Sequence, residues 1–167
     1  MRLLGAALIA AAFSAWGVSE ALRLRRRARL VSALCSGLEL LRGEIVSRLA
    51  PMPEAAERLA RYGPEPTRGF YAAVCAGLEN LGGAEFSEIW RRALDLLDLS
   101  DPARASMENL GGSLGRYGAA EQAAAISACE QELRREAERV SQEAQVMGRL
   151  RAGLAAGAGL ILAIVLY

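Results

Sequence analysis

The residues that could do chemistry in this chain are three cysteines and 19 carboxylates. Neither set is arranged for it. Histidine is absent, which removes the usual general base and the usual zinc ligand. Every basic residue is arginine, so no Gly-rich phosphate loop ending in lysine can form. The arginine bias accompanies an excess of Ala and Gly and reads as a coding bias toward G and C. Cys35, Cys75 and Cys129 are odd in number and far apart. No pair has metal or redox spacing, and the pattern fits small buried thiols in a reducing compartment. The carboxylates alternate with arginines on what read as solvated helix faces. The expectation is therefore a protein that is not an enzyme, with no catalytic, metal-binding or cofactor-binding residues.

What remains is positional. Glu20 sits at the edge of an apolar run, where it is either an intramembrane functional group or an interfacial partner of a nearby arginine. Gly153 and Gly157 form a G-x-x-x-G pair within a second apolar run, a spacing that permits close packing of transmembrane helices. Arg23, Arg25, Arg26, Arg27 and Arg29 form a basic cluster. Such a cluster sets membrane topology and can also attract anionic lipid.

These features hang on the two apolar ends, residues 3–19 and 152–167. Each spans roughly 25 Å as a helix at about 1.5 Å per residue, a little short of a hydrocarbon core. Snorkelling arginines and local thinning can close that gap. Trp16 and Tyr167 stand where aromatic interfacial residues are expected. Arginines follow the first run, and Arg149 and Arg151 precede the second. Basic residues are retained on the cytoplasmic side, so both termini are expected outside and the middle inside. The reading is a transmembrane anchor over 1–22, a cytoplasmic helical bundle over 23–151 and a second anchor over 152–167, located in the cell membrane.

Apolar residues make up 53% of the chain and aromatics 5%, which is helix-bundle material. The net charge of +1 predicts no nucleic-acid binding. Leu30, Leu34, Leu38, Leu41, Ile45 and Leu49 mark one helical stripe, stopped by Pro51 and Pro53. Short helices are expected over 54–61 with Ala55, Leu59 and Tyr62 inward, over 67–81 around Phe70, Val74, Cys75 and Leu78, and over 86–97 around Ile89, Trp90, Leu94 and Leu97. Ser100 is placed to cap a further helix carrying Met107, Leu110 and Leu114 and loosening at Gly111, Gly112, Gly115 and Gly118. Ile126, Leu133, Val140, Met147 and Leu154 recur every seven residues as a coiled-coil-like seam, interrupted by Glu136 and Glu143. The fold expected is all-α: an antiparallel bundle of about five to six helices, whose first and last helices pair and continue into N- and C-terminal transmembrane helices.

Several ordered segments resemble a known family. They are Met1-Arg2-Leu3-Leu4-Gly5-Ala6, Leu38-Glu39-Leu40-Leu41-Arg42-Gly43-Glu44-Ile45, Pro51-Met52-Pro53-Glu54-Ala55, and Leu114-Gly115-Arg116 followed by Glu121-Gln122. In order and spacing the chain resembles the stage III sporulation protein AB family of endospore-forming bacteria, with Met52 where that family often has Leu. The resemblance implies a platform or scaffold subunit of a secretion-like channel complex in the mother-cell (outer forespore) membrane, between mother cell and forespore. Its cytoplasmic domain would be similar to that of the platform proteins of type II secretion systems. Its implied partners are a secretion-type ATPase and other membrane subunits of the channel. Charged loop-side surface is the expected contact, either at Arg91 and Arg92 or at the corner formed by Glu44, Pro51 and Pro53. The alternative is a structural or channel subunit that forms homo-oligomers through its transmembrane helices, with Gly153 and Gly157 at the contact.

Overall fold

The computed structural model describes residues 2–79, 85–114 and 118–166, with side chains for 22–79, 85–114, 118–143, 145 and 146. Among the described residues there are six helices and no strand: α1 (Arg2–Ser47), α2 (Met52–Tyr62), α3 (Glu65–Glu79), α4 (Phe86–Leu94), α5 (Asp101–Ser113) and α6 (Ala119–Leu166). No helix of the described residues is long and apolar enough to cross a membrane. The side chains of the two apolar runs, including Trp16, Glu20 and the Gly153–Gly157 pair, lie outside those described. The expected transmembrane segments fall there too.

The chain divides into two compact units. One combines Met1–Ala28 with Glu138–Tyr167, joining the beginning of α1 to the end of α6. The other, Arg29–Ala137, holds the rest of both long helices and all four short ones. In that unit α1 and α6 meet where the Cys35 thiol donates to the Glu130 carbonyl at 3.9 Å and where Glu39 pairs with Arg134. These two contacts join the first and last helices within the unit.

Local chemistry accounts for the short helices. Pro51 is extended (φ −60°, ψ 149°) and precedes α2, while Pro53 occupies its first turn, where no intrahelical N–H bond is lost. Glu54 lies in the first turn of α2 and Arg61 in its last, each complementing the helix dipole. Helix α2 therefore starts two residues earlier than expected, because proline in a first turn does not stop a helix. The same logic starts α3 at Glu65, before Pro66, with the Thr67 hydroxyl donating to the Pro64 carbonyl at 2.9 Å. Helix α4 ends at Leu94 and not Leu97. Beyond it, the Leu96 and Leu97 N–H groups donate to the carbonyls three residues back.

The core of the Arg29–Ala137 unit draws on all six helices. Leu34, Leu38, Leu41 and Ile45 from α1 meet Leu59, Phe70, Val74, Trp90, Leu94, Met107, Leu110, Ile126 and Leu133. Phe70 abuts the Trp90 ring edge-on at 4.8 Å and the Tyr71 ring at 4.9 Å. Trp90 Nε1 donates to the Met107 carbonyl at 2.7 Å. To do so the indole lies directly on Gly111, where a Cβ would collide with its ring. Of the glycines expected to loosen α5, Gly111 and Gly112 do not: the helix continues through both, and Gly111 is the groove that admits Trp90. Gly115 lies outside the described residues and Gly118 lies beyond the end of α5. Two inward expectations fail at helix ends. Tyr62, the last residue of α2, is 79% exposed, and Leu49, beyond the end of α1, is 74% exposed.

Tyr71 is fully buried with its hydroxyl unpartnered, pressed against α1 where a Cβ on Gly37 would stand 2.9 Å from the hydroxyl oxygen. Burial pushes the Tyr71 phenol far above its ordinary ionisation, and burial also pushes the Cys129 thiol up to about 11 from 9.0. Both acids are neutral when protonated, and the unfolded chain releases those protons first. Stability is therefore full below pH 9.0 and falls as pH rises toward 11, by about 3 kcal/mol for a shift of this size.

Two outcomes follow for urea unfolding of the folded protein. Gly111→Ala should cost about 1–3 kcal/mol through overpacking. Gly112→Ala, whose Cβ meets nothing within 4 Å, should add up to about 1 kcal/mol of helix propensity. Separately, Tyr71→Phe should gain about 1 kcal/mol at neutral pH by removing a buried unpaired hydroxyl. The same variant should flatten the alkaline fall above the ordinary tyrosine value of 10.0.

Candidate functional site

The α1–α2 corner gathers three of the expected contact residues. Glu44 is on the last turn of α1, Pro51 precedes α2 and Pro53 is in its first turn. The two prolines are exposed. Glu44 is not: its side chain is only 16% exposed and lies 3.5 Å from Arg48 and 3.7 Å from Arg58. One of its oxygens is buried without a hydrogen bond. Glu44 thus braces α1 against α2, and the surface it was expected to offer belongs to its neighbours.

The corner also contains a feature that residue type does not announce. Leu49 has φ +53° and is, among the described residues, the one non-glycine with positive φ. This left-handed turn lets the chain reverse, with the Ala50 N–H closing onto the Glu44 carbonyl at 3.1 Å. A Cβ in that region costs roughly 1 kcal/mol, and Leu49 recovers nothing by burial because it is 74% exposed. Backbone strain of this kind clusters at functional positions.

Beside the corner, the outer face of α2 forms an open depression lined by Glu54, Glu57, Arg58, Arg61 and Tyr62. Its carboxylates are paired within the helix: Glu54 with Arg58 at 3.1 Å, which also reaches Glu44, and Glu57 with Arg61 at 2.6 Å. Such exposed i,i+4 pairs contribute only about 0.2–0.5 kcal/mol each and leave no net charge for a ligand. Among the described residues, no group of three His, Cys, Asp or Glu could hold a metal ion.

Helix α4 carries the other two expected contacts. Arg91 and Arg92 are both exposed. Arg92 is held by Glu88 one turn back. Among the described residues Arg91 has no ion pair or hydrogen bond, so its guanidinium is the freer of the two. No ion pair or hydrogen bond of the described residues joins α4 to the Glu44 corner.

Sequence reasoning treated Glu136 as a flaw in the α6 seam. It is instead a buried tie: the Ser100 hydroxyl at the start of α5 donates to its carboxylate at 2.6 Å. Ser100 therefore occupies the cap position without capping its own helix. The carboxylate at the amino end of α5 takes over the favourable charge interaction. An acidic residue interrupting an apolar seam was the available signal.

The family profile for stage III sporulation protein AB matches residues 2–167. The chain belongs to the stage III sporulation protein AB family. A solved structure of a stage III sporulation protein AB (SpoIIIAB) is similar to this one, with a TM-score of 0.64 and 21% sequence identity. The match covers 72% of this chain and 97% of that one. At that identity the likeness speaks for the fold alone. No curated protein sequence matches. The family assignment agrees with the resemblance carried by residues 38–45 of α1 and the Pro51–Pro53 corner.

For this stage III sporulation protein, Leu49→Gly should raise unfolding stability by roughly 1 kcal/mol, because glycine adopts the left-handed turn without penalty. A loss of stability in chemical denaturation would mean that the Leu49 side chain packs in a way its exposure does not reveal.

Proposed function

We propose that this chain is an inner-membrane platform subunit of a sporulation channel between mother cell and forespore. It has no turnover of its own. The apolar residues 3–19 and 152–167 tether it, and the helical bundle docks a secretion-type ATPase on the cytoplasmic side. The observation that carries this reading is the family match over residues 2–167. The arrangement of the helices is compatible with it. The start of α1 and the end of α6 belong to one compact unit, as two tethers entering one membrane face require. The other unit offers exposed helix faces and turns, which suit docking better than a closed catalytic pocket.

Within that unit, Arg91 and Leu49 are the preferred contacts. Arg91 offers an unpaired cation and Leu49 an exposed aliphatic group on a rigid, strained turn. Glu44 contributes indirectly, by holding the corner in shape.

Binding of the detergent-solubilised full chain to the cognate ATPase tests this. Arg91→Glu should weaken binding roughly tenfold, chiefly through the association rate. Arg92→Glu should cost less, because its charge is already shared with Glu88. Leu49→Gly should weaken binding while leaving the fold intact. No binding by the folded wild-type chain at tens of micromolar would overturn the docking role.

A further inference from the structure

The arginine cluster that follows the first apolar run is not uniform in the structure. Arg23 and Arg27 are engaged in interactions within the protein. Among the described residues, Arg25 and Arg26 have no ion pair or hydrogen bond, and both are exposed. They sit three and four residues after Leu22 in α1, so all three share one helix face. Leu22 is itself 48% exposed. All three belong to the unit formed by Met1–Ala28 and Glu138–Tyr167. Val146 of α6, in the same unit, is 57% exposed.

The surrounding sequence withholds any internal counter-charge. No carboxylate occurs between Glu20 and Glu39. Arg25 has Arg29 four residues on, a like-charge spacing that costs a helix about 0.2–0.5 kcal/mol. Two free guanidiniums beside an exposed aliphatic side chain, directly after an apolar run, present a fixed demand for an anion at an oil–water boundary. Guanidinium matches phosphate in geometry through paired N–H donors.

We infer that Leu22, Arg25 and Arg26 form a lipid-binding face that selects anionic phospholipid headgroups. The phosphodiesters accept from the two guanidiniums, while Leu22 rests against the upper acyl chain. This rests on the membrane reading given under Proposed function, and it adds to that reading a preference among lipids. Topology alone requires positive charge here but not free, co-facial charge.

The test uses the full chain reconstituted in phosphatidylcholine vesicles. A minor share of the lipid is brominated phosphatidylglycerol in one series and brominated phosphatidylcholine in the other. Quenching of tryptophan fluorescence is read, with Trp16 in the first apolar run as reporter and Trp90, buried in the other unit, as constant background. The expected result is stronger quenching by the anionic lipid, an apparent preference of roughly fivefold per guanidinium. The preference should shrink as salt is raised. It should vanish in Arg25→Gln/Arg26→Gln and persist in the Arg25→Lys/Arg26→Lys variant. It should also persist in Arg42→Gln/Arg135→Gln, which removes the same charge from exposed positions elsewhere. Equal quenching by both lipids would overturn the lipid preference while leaving membrane insertion standing. A preference that survives Arg25→Gln/Arg26→Gln would overturn the assignment to this face. No quenching by either lipid would remove the membrane reading and this inference together.

Discussion

The bundle depends on one close approach, that of the Trp90 indole to α5. The indole crosses Gly111 and donates to the Met107 carbonyl at 2.7 Å. This single contact sets the separation of α4 and α5, because any side chain at 111 would push the ring away. The consequences spread outward. Phe70 of α3 packs edge-on against the same ring. Met107 sulfur receives the Cys129 thiol of α6 at 3.8 Å, and the neighbouring Ser106 donates to Cys129 at 3.3 Å. Tyr71, beside Phe70, presses on α1 at Gly37. Three aromatic side chains thus fasten α3, α4 and α5 to both long helices, in a chain where aromatics are only 5% of residues.

That packing has two costs in buried polar groups, handled differently. The Tyr71 hydroxyl is left without a partner, a penalty on the order of 1–3 kcal/mol. The Glu136 carboxylate, equally hidden, is satisfied by Ser100 at the amino end of α5. The contrast separates a group tolerated for the shape of its ring from a group that fixes the register of two helices. Glu44 resembles the second case. Its arginine neighbours turn an acidic residue near a loop into a brace, leaving Leu49 and the two prolines as the corner's outer surface. The carboxylates on the open face of α2 are spent in pairs within the helix.

Much of the fold was legible in the order of residue types. Apolar spacing of three and four gave α1 its buried stripe of Leu34, Leu38, Leu41 and Ile45, and the seven-residue seam gave α6 its buried Ile126, Leu133 and Val140. The helix ends were less legible. Pro51 and Pro53 read as a stop for α1, which ends before them at Ser47, but Pro53 also sits inside the first turn of α2, since proline interferes only when an N–H bond is lost. Glycine in α5 read as looseness but marks a contact, because absence of a side chain looks the same in sequence whether it serves freedom or proximity. Tyr62 and Leu49 kept the period yet face outward, since a helical stripe says nothing about where the helix, and its neighbours, end.

The sequence by itself determined the all-helical class, the absence of histidine and lysine, and the family, because these rest on composition, periodicity and ordered short motifs. Tertiary structure alone decided which charges are spoken for. Glu44, Arg92, Arg23 and Arg27 are engaged, whereas Arg91, Arg25 and Arg26 are not. Pairs one helical turn apart, such as Glu88–Arg92, can be read along the chain, but whether a carboxylate of another helix lies within about 4 Å, as Glu44 does of Arg58, is set by how helices pack and where their turns end.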